Sequence, residues 1–402
     1  NPSSQKCIME RDTVFSRNVK IQNVQKAWVR ATLSESSNDF CVLDSQTESP
    51  QIILKGTSKS AFPTSFSGSL ECIGGIAVVL PLLDVQSITH IKDLRVSIDI
   101  IGAWLNGEGN IMPASEFKRV DGYRILGYLL LRIAEKGLLT PVVYHSVLKL
   151  VYGTDFMETS GVIGDCDAVR LVLMNHAILC RSGGNFYSKL RHQLLSSFLQ
   201  LLEDNVECTS KQRSVNIIMF RSAGLPLWLL NTMLEDASSI AGVKSVFAVQ
   251  SKPADLGIAL RELVRLAGNL LTPLLAHFVP ITSDLISIRD ILIYTNAARL
   301  KCASTDTSGF TEMQVTLFRE LSNIYEQSLQ GEASSHIEDA YRSVFFEEIP
   351  LYFAQFFDRV CPWRTMLMGT RLMLQLAQCQ RLKGKQTIMS KEVGRVLQKV
   401  MQ

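Results

Sequence analysis

His176 and Cys180 stand four residues apart, so a helix would carry both on one face, as two ligands of a zinc ion could be carried. His192 and Cys208 are the residues that would have to complete such a site. The alternative, which the sequence favours, is a histidine at a polar edge beside a cysteine buried as a small apolar residue. Two acidic pairs, Asp165/Asp167 and Glu347/Glu348, could do acid/base work only if held at set distances about a bond. Asp165 is better placed to cap a helix, with Asp167 near the positive end of its dipole, and Glu347/Glu348 precede Pro350 as a solvated junction. There is no P-loop, G-x-G-x-x-G, G-x-S-x-G or H-E-x-x-H, and the six histidines are scattered. We therefore expect no catalytic residues, no metal, no cofactor and no small-molecule substrate.

Charge separates along the chain although the net charge is only +3, which gives no case for nucleic-acid binding. Residues 363–402 hold eight basic side chains against one acid, Glu392. Arg381, Lys383, Lys385, Lys391, Arg395 and Lys399 form the candidate contact with an anionic surface, either a membrane met peripherally or an acidic partner; the alternative, which the sequence favours, is a solvated face or attraction between this segment and the acidic stretch 312–348. The segment Arg181–Tyr187 reads as a loop, with Arg181, Asn185, Phe186 and Tyr187 as candidate partner contacts. Trp363, Met366, Leu367, Met368, Leu372 and Met373 make a dense helix read as core.

The elements that would position these residues are almost all helical. Thr140–Pro141 opens a helix, Val143, Val147 and Leu150 recur on one face, and Gly153 stops it. Leu190, Leu194, Leu195, Phe198, Leu201 and Leu202 form another stripe; Leu260–Leu274 form a third, which Pro273 kinks or ends. Further helices are expected from Pro226, from Ser283 as a cap, and over Met313–Leu329, Ile337–Phe346, Leu351–Val360, Thr365–Cys379 and Lys391–Val400. Asp204–Lys211, Ala237–Asp255 and Ser304–Thr311 read as breaks. Before them, Val19–Ile21, Trp28–Leu33, Phe40–Leu43 and Ile52–Leu54 have the composition of short strands. The expected fold is all-α, an armadillo/HEAT-like α-solenoid with a short β-type or irregular N-terminal lead. Residues 1–65 would be the lead and 66–402 the array, with a subdivision near 237–255. A compact helical bundle is the alternative packing.

Three stretches resemble the armadillo-like region of BEACH-domain proteins of the neurobeachin type. Glu71–Leu83 reads ECIGGIAVVLPLL; Val169–Leu179 contains Asn175-His176-Ala177-Ile178-Leu179; Leu194–Leu234 contains Phe198-Leu199-Gln200-Leu201-Leu202, Asn205 and Arg221-Ser222-Ala223-Gly224-Leu225. The stretch Cys180–Tyr187 lacks the acidic and aromatic cluster ending in Trp that often follows in that family. The resemblance implies a segment of a large cytoplasmic protein, peripheral on endomembranes. It would act in vesicle trafficking, lysosome biology or autophagy through protein partners, and residues 1–65 would include the end of a lectin-like sandwich. A helical-repeat adaptor unrelated to membrane traffic is the alternative. Nine widely spaced cysteines without C-x-x-C, and no N-x-[ST] sequon with a permitted middle residue, suit a reducing compartment.

Overall fold

The computed structural model describes residues 29–33, 40–44, 52–54, 70, 74–86, 88, 90–105, 111–153, 162–182, 184–202, 210–241, 253–276, 282–301, 307–329, 340–341, 344–345, 356, 361–382 and 398. The chain divides into two compact units, Asn1–Leu129 and Leu130–Gln402.

In the first unit, β1 (Val29–Leu33), β2 (Phe40–Asp44) and β3 (Ile52–Leu54) form an antiparallel meander in the order β1-β2-β3. Val29 lies opposite Asp44, Leu33 opposite Phe40, and Phe40 opposite Leu54. These are three of the four expected strands; Val19–Ile21 lies outside the described residues. Helices α1 (Ile76–Val79), α2 (Ile91–Leu105) and α3 (Ile111–Arg119) follow, and α1 runs into a 3-10 turn at Leu80–Leu83. At the start of α4 (Gly122–Glu135) the Phe117 ring lies so close that a Cβ on Gly122 would stand 2.6 Å from it. Trp104 and Tyr123 meet that ring edge-on.

In the second unit, α5 (Pro141–Tyr152) has the expected ends: Thr140 Oγ1 accepts from the Val143 N–H at 3.4 Å, and Gly153 closes the helix at φ 98°. A short turn α6 (Cys166–Ala168), with Asp165 capping the Asp167 N–H at 2.8 Å, runs into a π-helical turn at Val169–Leu173. Then come α7 (His176–Arg181), α8 (Gly184–Leu202), α9 (Ser210–Ser222) and α10 (Leu225–Ile240). The last of the series are α11 (Pro253–Ala276), α12 (Thr282–Lys301), α13 (Ser308–Leu329) and α14 (Trp363–Leu382). Gly224 turns the chain between α9 and α10 in the left-handed region, φ 83°, which costs glycine little.

Several boundaries differ from the sequence reading. Arg181–Tyr187 is a junction between two helices, since Gly184 already begins α8. α11 continues through Pro273 to Ala276, because a proline near a helix end forfeits one backbone bond without losing the packing of Leu270, Leu271, Leu274 and Leu275, all fully buried. Burying each such leucine stabilises by roughly 1.5–3 kcal/mol. Ser283 lies inside α12, and Ser308–Thr311 form the first turn of α13. α10 runs on to Ile240, and Pro253 begins α11, so the expected break at 237–255 is shorter. Most of Ile337–Phe346, Leu351–Val360 and Lys391–Val400 lies outside the described residues.

Helices α5, α8, α11, α13 and α14 pack each on the next, with α10 against α11, α12 and α13. In the pairs α5–α8, α11–α13 and α13–α14 the side-chain contacts advance together along both partners, so these helices run parallel. His145 meets Gln193 and Tyr152 meets Ser197, 48 and 45 residues apart. Arg261 meets Ser308, Arg265 meets Glu312 and Thr272 meets Glu320, 47, 47 and 48 apart. Thr365 meets Gln314 and Arg371 meets Glu326, 51 and 45 apart. α11 and α13 approach closely at Gly268, where a Cβ would stand 2.1 Å from Thr316 Cγ2. Among the described residues no single helix is long and apolar enough to cross a membrane.

Candidate functional site

The densest group of chemically capable side chains joins α7, α8 and α10. Tyr187 and Arg191 are four residues apart on α8, so both project from one face, and the Arg191 guanidinium sits 5.6 Å from the centre of the Tyr187 ring. Their partner is Asp236 on α10. Arg191 Nη1 donates to Asp236 Oδ2 at 2.5 Å and to Tyr187 Oη at 2.8 Å, and Tyr187 Oη donates to Asp236 Oδ1 at 3.3 Å. Arg191 and Asp236 are both buried. Among the described residues, Arg191 Nε and Nη2 have no hydrogen-bond partner.

His176 enters from the first turn of α7. Its Nε2 lies 3.2 Å from Tyr187 Oη, its Nδ1 lies 3.1 Å from Glu235 Oε2, and Cys180 Sγ lies 3.4 and 3.6 Å from the two ring nitrogens. Donor and acceptor roles at the two ring nitrogens depend on the tautomer: Nε2–H would donate to Tyr187 Oη, and Nδ1–H to Glu235 Oε2.

Burial governs the protonation states. It lowers the His176 pKa to about 4, aided by the nearby Arg191 cation, and raises the Cys180 pKa to about 12, aided by Glu235. A cysteine beside a histidine becomes a nucleophile when the pair exchanges a proton to give thiolate and imidazolium. Here both members stay neutral near pH 7. Burial also pushes Tyr187 up, with Asp236 adding to it. Asp236 is raised by burial and pulled back by Arg191, while Glu235 is raised by burial and by Asp236. Burial pulls Arg191 down, but Asp236 and Tyr187 together more than offset it, and it stays a cation. The arrangement suits a polar clasp that fixes three helices, and its His176–Cys180 pair is not an activated nucleophile.

The expected site residues are dispersed. Arg181 is exposed and pairs with Glu135; Phe186 is half-buried; Tyr187 is buried in the clasp; and Asn185 lies in α8 with its side chain outside the description. Tyr187 is thus unavailable as a surface contact. His192 points from α8 toward Glu262 at 3.8 Å, away from His176, and Cys208 lies outside the described residues. Among the described residues no group of three or more His, Cys, Asp or Glu side chains is placed to hold a metal ion. Asp167 pairs with Arg170 at 2.8 Å on the surface, and Glu347/Glu348 lie outside the description. Arg381 belongs to α14 without a described side chain; Lys383, Lys385, Lys391, Arg395 and Lys399 lie outside it.

Sequence reasoning found His176, Cys180 and Tyr187 but missed Arg191 and Asp236. The available signal was Arg191 itself, a cation set within the apolar stripe Leu190–Leu194–Phe198. A charge there needs a buried partner, but the sequence does not point to Asp236. A second polar feature is a cleft of about 380 Å³ where α8, α9, α11 and α13 meet. On its wall Glu320 accepts from Thr272 Oγ1 at 2.6 Å and Arg319 Nε at 2.8 Å.

Comparison of the chain with protein-family models, with curated proteins and with solved structures finds no match.

Proposed function

We propose that this chain is a non-catalytic, armadillo/HEAT-like scaffold segment of a large BEACH-type protein. It acts in vesicle trafficking, lysosome biology or autophagy through protein–protein contacts, in the cytoplasm and peripherally on endomembranes. The observation that carries the scaffold reading is the parallel stack. Helices α5 and α8, and α11, α13 and α14, meet at side chains 45–53 residues apart, close to the roughly 40–47 residue period of HEAT and armadillo repeats. In such a stack each layer touches only its neighbours, and an extended lateral surface is left for partners. The neutral His176–Cys180 pair supports the non-catalytic reading.

The stack alone serves a helical-repeat adaptor outside membrane traffic equally well. The trafficking reading rests on the resemblance at Glu71–Leu83, Val169–Leu179 and Leu194–Leu234. Its test is the sequence of the full-length transcript, together with fractionation of the native protein. A lectin-like sandwich upstream, a PH-like and BEACH pair downstream, and recovery with endomembranes are expected. A transcript with neither module would leave the adaptor.

A further inference from the structure

Trp363, Met366, Leu367, Met368, Leu372 and Met373 read as core from the sequence, yet among the described side chains of α14 only one side is buried. Thr365, Leu372 and Met373 are buried, whereas Trp363, Leu367 and Leu374 are 69%, 55% and 42% exposed. At about 3.6 residues per turn these three fall within roughly 40° of one another. They form an apolar stripe along the outer face of a helix that Thr365 and Gln314 tie to α13 at 3.4 Å from its other side. We propose that this outer face of α14 is an interfacial contact for an anionic phospholipid surface. Trp363, Leu367 and Leu374 enter the headgroup–acyl boundary while Arg364 and Arg371 meet lipid phosphates.

Charge selects this occupant. Trp363–Leu382 contains no Asp or Glu, and residues 363–402 hold eight basic residues against one acid. Arg364 and Arg371 flank the stripe, and each is about half exposed. Their ion pairs are loose, 3.5 Å to Glu312 and 3.4 Å to Glu326, so solvent-screened guanidinium groups can turn toward phosphate at little cost. Glu312 also keeps Arg265 at 2.5 Å when Arg364 turns away. A tryptophan at one end, leucines along the stripe and arginines at its flank are the make-up of helices that lie in the membrane interface. The inference is independent of the BEACH reading: a helical adaptor of any family could carry this face.

The test is co-sedimentation of the 402-residue chain with phosphatidylcholine vesicles, with and without phosphatidylserine, at low and high salt. Binding that needs phosphatidylserine and weakens with salt is expected. Trp363→Ala with Leu367→Ala should lower the bound fraction about tenfold while the circular dichroism spectrum is unchanged, because both side chains are exposed. Arg371→Gln should weaken binding by less and flatten the salt dependence. The proposal is overturned by absence of binding, by equal binding to phosphatidylcholine alone, or by full binding of the folded double variant. It is also overturned if wild type does not bind vesicles but self-associates in a way the double variant abolishes, which would assign the face to a second copy. None of these outcomes bears on the transcript test of the trafficking reading.

Discussion

Arg191 Nη1 and Asp236 Oδ2 are 2.5 Å apart, between helices α8 and α10, with both side chains withdrawn from solvent. Withdrawing two charges costs several kcal/mol each, and their attraction and the Tyr187 hydroxyl offset it only while all three are present. Removing one partner should therefore be far worse than removing both. Asp236→Ala is expected to lose about 3–5 kcal/mol in urea unfolding, and Arg191→Met with Asp236→Leu to recover most of it. A double variant as unstable as the single one would show that the pair contributes more than mutual compensation.

His176 makes the clasp sensitive to acid. Its ordinary pKa of 6.5 falls to about 4 in the folded chain, so between these values the unfolded state binds more protons. Stability from this group is complete above pH 6.5 and is lost as the pH falls through 4. The loss should approach about 3 kcal/mol by pH 4, read as a lower urea midpoint. In His176→Gln that part of the pH dependence should be absent.

Cys180 should behave as an inert thiol. With its pKa pushed up to about 12, iodoacetamide at pH 8 should label it at least about tenfold more slowly than an unstructured cysteine. Peptide mass spectrometry of the folded and urea-unfolded chain reads this directly. Rapid labelling in the folded chain would revive a nucleophilic role.

Gly268 and Thr316 set the spacing of α11 and α13. A methyl at 268 would overlap Thr316 Cγ2 at 2.1 Å but would stand 3.6 Å from Thr316 Cβ. Gly268→Ala should cost about 1–3 kcal/mol despite its better helix propensity. Adding Thr316→Ala should restore most of the stability, since it removes the overlapping atom. A Gly268→Ala variant as stable as wild type would show that the helices can separate freely.

Local signals made much of the fold legible. The Thr140 cap, Pro141 at the first position and Gly153 at the stop act through atoms within a turn of one another, so α5 could be bounded from its residues alone. The strands at Val29–Leu33, Phe40–Asp44 and Ile52–Leu54 and the helical character of the second unit were visible for the same reason. Helix ends set by packing were harder. α11 passes Pro273 because buried leucines on both sides of the proline outweigh one lost backbone bond. The junction at Arg181–Tyr187, rich in turn residues, is shortened because Tyr187 has a buried partner.

The sequence by itself determined where helices form, which residues are apolar, and that an arginine sits in the apolar stripe of α8. Only the tertiary structure decided that Asp236 answers Arg191, that α5 and α8, and α11, α13 and α14, meet parallel at 45–53 residues, and that Trp363 and Leu367 face outward. Side-chain partners about fifty residues apart follow from how helices are laid against each other, which no short-range pattern encodes. In α14 apolar residues occur on most sides, so periodicity could not choose the buried face; contact with α13 chose it.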